Sequence, residues 1–119
     1  MVTVTSRSLR ARVEPLEPDD LLSLAERTWS PEPDLNLENL RHWMAEGFRL
    51  IAVGWWARYG PVQSGPAVYF LLQNAEGKQL PMWVAPGKKV AEFIRQHWQE
   101  WQRDGIPFVR IDFVEQPSQ

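Results

Sequence analysis

Residues 49–73 read RLIAVGWWARYGPVQSGPAVYFLLQ, two apolar runs separated by turn-forming residues. Runs of this length, rich in β-branched and aromatic side chains and bounded by Gly and Pro, read as strands. Arg49 to Tyr59 is the first and Ala67 to Gln73 the second, with a Gly- and Pro-rich loop over 60–66. Both runs are apolar at every second position in either phase. Ile51, Val53 and Trp55 alternate with Leu50, Ala52 and Trp56, while Val68, Phe70 and Leu72 alternate with Ala67, Tyr69 and Leu71. A sheet with one wet face shows polar residues on that face, so strands apolar on both sides belong between layers. Three predicted helices suffice to supply those layers, the early pair on one face and the late helix on the other. A partner could instead cover part of the sheet.

Working outward, Asn74-Ala75-Glu76-Gly77-Lys78 has the length and chemistry of a hairpin connection into a third strand, Leu80 to Ala85. Pro81 cannot donate to a ladder, which predicts a late start or an edge position. Pro86-Gly87 then breaks the chain before a helix over 88–104, where Val90, Phe93, Ile94, Trp98 and Trp101 recur at helical spacing. Gly105 stops it, and Pro107 to Val114 alternates, with Val109, Ile111 and Phe113 on one face and Arg110 and Asp112 on the other. Toward the N-terminus, Pro18, Asp19 and Asp20 open a helix near 18–29, which Pro31 and Pro33 end. Asn36 is placed to cap a second helix over 37–46, and Gly47 suits the left-handed position after it. Residues 1–13 alternate weakly, as a strand or an extended arm, and the tail 115–119 is expected to fray. The expected fold is α+β, one domain over 1–119. Its sheet is four-stranded and mostly antiparallel, or mixed if the last strand runs parallel, and is flanked by helices in the order (β)-α-α-β-β-β-α-β.

Composition narrows the function classes. The 119-residue chain is 44% hydrophobic and 24% charged, ordinary globular usage with enough length for one core. No apolar run approaches the ~20 residues of a membrane span, and Met1 to Arg7 does not read as a signal peptide. The chain has no cysteine, which removes disulfides, zinc–thiolate sites and thiol nucleophiles and fits a cytoplasmic protein. The net charge of −2 is unevenly spread: residues 14–46 hold nine carboxylates against Arg27 and Arg41. Such a run reads first as a solvated helix surface with acids toward the helix N-termini. An acidic docking face is the other reading.

Motifs that would carry catalysis are scarce. His42 and His97 lie in separate predicted helices, neither with a second histidine at ligand spacing, so no metal site, cofactor or catalytic residue is expected. No phosphate loop, dinucleotide glycine pattern or nucleophile elbow is present. The order helix, three strands, helix, strand resembles the core of restriction-endonuclease-like nucleases. That resemblance would imply metal-binding carboxylates and a lysine on the second and third strands. Neither Ala67–Gln73 nor Leu80–Ala85 contains Asp, Glu or Lys. Gly65-Pro66 before the second strand and Gly87-Lys88-Lys89-Val90-Ala91 at the last helix resemble the double-stranded RNA-binding domain over 37–104. The resemblance implies phosphate contacts from Lys88 and Lys89, with Arg58 and Lys78 as further cations. The chain departs from that family in its acidic balance, in Trp98 and Trp101 on the last helix, and in the strand that follows.

Seven tryptophans are the most unusual feature. Trp29, Trp43, Trp98 and Trp101 fall on apolar helical stripes and read as core. Trp55 and Trp56 are adjacent on one strand and must face opposite ways. Trp56 and Trp83 are therefore the candidates for the margin of the core, where tryptophan commonly anchors protein interfaces. The functional expectation is a small non-catalytic binding domain, such as an accessory subunit, inhibitor or adaptor. It would contact a protein partner, which could be a second copy of itself, through an aromatic patch at Trp56 and Trp83. Nucleic-acid binding through Lys88 and Lys89 is the alternative.

Overall fold

The computed structural model describes residues 7–27, 35–59 and 64–117. Five strands and three helices follow in chain order: β1 (Arg7–Pro15), α1 (Pro18–Arg27), α2 (Leu35–Ala45), β2 (Arg49–Tyr59), β3 (Ser64–Gln73), β4 (Gln79–Val84), α3 (Lys88–Arg103) and β5 (Phe108–Pro117). The strands form one mixed sheet in the order β1-β5-β2-β3-β4. β2, β3 and β4 are an antiparallel meander. β5 lies parallel to β2, and β1 lies antiparallel to β5.

Local chemistry explains the turns. Asn74 closes the β3–β4 connection by accepting backbone N–H bonds from Glu76 and Lys78 on its Oδ1, at 3.0 and 2.8 Å. At the end of α2, Gly47 takes a positive φ of 106° and the Phe48 N–H returns to the Trp43 carbonyl. The Phe48 ring then packs edge-on against Trp43, the apolar contact that often accompanies such a helix stop.

All three helices contribute to one core on one face of the sheet. Leu21 and Ala25 of α1, Leu37 and Leu40 of α2, and Val90, Phe93, Ile94 and Trp101 of α3 are buried with Val53, Trp55, Phe70, Leu72 and Phe108 from the strands. Phe70 meets Phe93 and Trp101 edge-on, and Trp101 reaches Phe108. α1 packs on α3, where Glu26 and Arg95 pair across the helices, and α2 lies near β4. Arg41 of α2 sits over the Phe93 ring of α3, 5.5 Å from its centre.

Six expectations change. The sheet has five strands, because β1 pairs along its length with β5 as an edge strand. Glu115 to Pro117 continue β5, held by Arg7 to Leu9 of β1, where a frayed tail was expected. The helices do not divide between the two faces. Ile51 lies at a β-bulge, so Leu50 pairs with Leu72 and shares the core face of Val53 and Trp55, opposite to strict alternation. Asn36 lies inside α2 rather than capping it, and its Nδ2 donates to the Trp83 carbonyl at 2.6 Å. Among the tryptophans of the helical stripes, Trp101 is only 4% exposed, Trp98 is partly buried and Trp43 is exposed. Trp29 lies outside the described residues.

Among the described glycines, Gly54 is the one that the sheet requires. A Cβ there would run into the Val109 carbonyl of β5, with the carbonyl carbon only 2.8 Å away. Backbone at that distance cannot yield as a flexible side chain could. Gly54→Ala is therefore expected to destabilise the fold by about 1–3 kcal/mol through overpacking. Trp101→Ala should cost about 3–5 kcal/mol, and Trp98→Ala clearly less. Urea unfolding followed by far-UV circular dichroism measures all three.

Candidate interaction face

The register that buries Val53, Phe70 and Phe108 under the helices puts their neighbours on the opposite face. On that face Ala52, Gly54 and Trp56 of β2 lie beside Tyr69 and Leu71 of β3 and beside Val109, Ile111 and Phe113 of β5. Pro81 and Trp83 extend it across β4, and Ala11 and Val13 across β1. No described helix packs on this side, where Val13 is 60% and Trp83 41% exposed.

The two sequence-nominated tryptophans meet here. Trp56 stands on the central strand with Trp83 edge-on at 5.9 Å and Phe113 at 5.9 Å, while Tyr69 lies 5.7 Å from Trp83. Four aromatic rings from four strands thus make one cluster. Sequence reasoning missed Tyr69 and Phe113. Phe113 was legible as part of the apolar phase of the last strand, but which layer that phase faced depends on the parallel register with β2.

That strand is arranged unusually for a sheet whose second face meets water. Its apolar phase, Val109, Ile111 and Phe113, is on the open side, and its polar phase, Arg110 and Asp112, is on the helix side. Asp112 is largely buried there; one carboxylate oxygen accepts from Arg110 Nε at 3.1 Å, and the other has no hydrogen-bond partner among the described residues. A solvent-facing selection would place these residues in the reverse phase. Among the described side chains the open face carries no Asp, Glu or Lys, and its one Arg, the exposed Arg49, stands at the start of β2 opposite Gln73. Its uncharged polar groups are the Tyr69 hydroxyl and, at the same end as Arg49, Gln73 and Gln79, whose amides bond each other at 3.3 Å.

The basic residues do not converge in the same way. Lys88 and Lys89 are exposed at the start of α3 and share a shallow hollow with Glu26, Glu92 and Arg95, so carboxylates interleave with the cations. Lys78 lies in the β3–β4 turn, at the other end of β4, a strand spanning about 20 Å. Arg58 falls near the end of β2 opposite Ser64 and Phe113, and its side chain lies outside the described set. Among the described residues no three His, Asp or Glu side chains gather as metal ligands. Among the described residues no helix is long and apolar enough to cross a membrane.

Burial raises the Tyr69 phenol above its ordinary 10.0 by desolvating the phenolate. The folded state then holds that proton after the unfolded chain has released it. The associated stability is complete below about pH 10 and is lost as pH rises through the folded-state value. Alkaline ultraviolet titration is expected to show a late-ionising tyrosine that Tyr69→Phe abolishes; the chain has only one other tyrosine, Tyr59. No protein-family model, curated protein or solved structure matches this chain, so the open face is read from its own chemistry.

Proposed function

We propose that this chain is a non-catalytic protein-binding domain and that the open face of its sheet, centred on Trp56 and Trp83, is the contact surface. The observation carrying this reading is an apolar face spanning five strands, with an aromatic cluster at its middle and, among the described side chains, a single charge, Arg49, at one end of β2. Folded monomers rarely expose contiguous apolar patches beyond a few hundred Å² unless the patch meets a partner. Tryptophan and tyrosine are the residues that most often dominate such contacts, because they bury large rigid surfaces and keep one polar atom for a hydrogen bond. Phosphate binding by Lys88 and Lys89 has less behind it, since Glu26 and Glu92 stand beside those lysines.

A photo-crosslinking residue in place of Trp83, with the same residue in place of Lys89 as control, tests the surface in the source cell. Protein adducts are expected from position 83 and not from position 89. Trp83→Ala is expected to weaken the captured contact by at least ~2 kcal/mol, about thirtyfold, with the fold intact. Moderate salt should change it little, because desolvated apolar contacts are not screened. Labelled duplex RNA and DNA titrated at two salt concentrations give the opposing outcome. Tight binding that falls steeply with salt and vanishes in Lys88→Ala with Lys89→Ala, without adducts at position 83, would overturn the proposal.

A further inference from the structure

We infer that the occupant of the open face is a second copy of this chain, two sheets stacking face to face across a two-fold axis into a four-layer helix–sheet–sheet–helix dimer. This rests on the open face being a protein-contact surface and names its partner.

Charge is the first reason. In a two-fold interface the same patch meets itself, so a charge near the axis is brought close to its own like. The middle of a face used for self-pairing must therefore be neutral or internally paired. Across its middle, from Val13 on β1 to Trp83 on β4, the described side chains of this face carry no charge, although nearly a quarter of the whole chain is charged. Arg49 stands at its end beside Gln73, Glu26, Arg95, Lys88 and Lys89 are on helices, and Arg110 and Asp112 lie on the helix side of β5. Partners of different sequence are ordinarily selected by complementary charges at the rim, and a face with one described rim charge offers little such selection.

Shape and size agree. Two sheets pack face to face when their twists match, about 10 Å apart with strands crossing near −30°, and an identical copy has a matching twist by construction. On a sheet each same-face residue occupies about 33 Å², from ~4.8 Å between strands and ~6.8 Å between alternate residues. The roughly fifteen open-face positions then present about 500 Å² of flat surface before side-chain relief is added. Stable interfaces begin near ~600 Å² per partner, so the whole sheet face reaches the size needed only with its side-chain relief, and half of it does not.

The sheet edges are poorer places for self-association. β4 carries Pro81, which removes a donor from one edge, and β1 bears Arg12 and Glu14 at the other. Both are devices that discourage edge-to-edge extension. With the edges blocked and the helix layer charged, the open face is the route left for pairing.

Sedimentation of the purified full chain across a wide concentration range is the test. The expected species is twice the 13.9 kDa monomer mass. Val13→Lys with Trp83→Lys changes two positions already exposed in the monomer and places four lysines in the contact. It is expected to raise the dimer dissociation constant at least ~100-fold with an unchanged far-UV circular dichroism spectrum. The wild-type dimer should also show the late tyrosine titration at higher pH than this variant, since pairing desolvates Tyr69 further. If the double variant unfolds, Trp83→Gln must still weaken pairing at least ~10-fold. A wild-type chain monomeric throughout overturns the inference. In that case adducts from position 83 to a different protein would leave the face as a contact surface, and their absence would remove that reading too. A dimer that survives the lysine variant uses another surface and overturns the inference as well.

Discussion

β5 lies between β1 and β2, and its parallel register with β2 joins two otherwise separate pieces into one sheet. β1 bonds to no other strand, and the β2–β3–β4 meander has its own hairpin bonds but no other route to β1. The seam starts where the Val53 N–H donates to the Pro107 carbonyl at 3.1 Å, while the Phe108 carbonyl accepts from Leu16 on the other side at 2.9 Å. It continues past Gly54, where the absent side chain admits the Val109 carbonyl. A one-residue slip here would exchange the two phases of β5, burying Val109, Ile111 and Phe113 and turning Arg110 and Asp112 outward. The nature of the open face is therefore set at this seam.

The same constraint bears on the helices. β4 and β5 point the same way, so the chain must cross back over the meander between them, and α3 is that crossover. Its apolar stripe lands on Phe70, the fully buried centre of β3, through Phe93 and Trp101. α1 and α2 then pack around α3 and the sheet margin, with Glu26–Arg95 joining α1 to α3 and Asn36 tying α2 to β4. Three helices on one side give a deep core there, rich in aromatic contacts. Nothing in the described chain is left to form a third layer.

Much of this architecture was legible in the residues, because turns and periods are local. Asn74 to Lys78, Gly47 and Gly105 each marked an element boundary by its own chemistry, and adjacency alone required Trp55 and Trp56 to face apart. The singling out of Trp56 and Trp83 followed from the same alternation. Which side the helices cover was not legible. A strand apolar in both phases looks identical whether its second face meets a helix or another molecule, and the choice is made by long-range contacts between α3 and β3. β1 was obscured by its arginines, which suit an edge strand but weaken the alternation. The bulge at Ile51 has no marker in the sequence, so the phase of Leu50 was misread. The lysines at the start of α3 looked like a phosphate grip in one dimension, and Glu26, which interleaves with them in space, comes from a different helix.

Position along the layers accounts for the odd distribution of charge. A chain with a net charge of only −2 has little long-range repulsion to keep its apolar surfaces apart. On the proposed pairing, geometry is what limits open-ended association. Pro81 and the charged residues of β1 close the edges, while the acids of α1 and the mixed charges of α3 make the helix layer wet. Among the described residues one apolar surface remains, and it lies on one side only. A surface of that kind can be consumed by a single partner and leaves no second apolar face from which a chain of contacts could grow. Closed pairing satisfies both the hydrophobic demand of Trp56, Trp83 and Phe113 and the need for a soluble exterior, with the helices outermost.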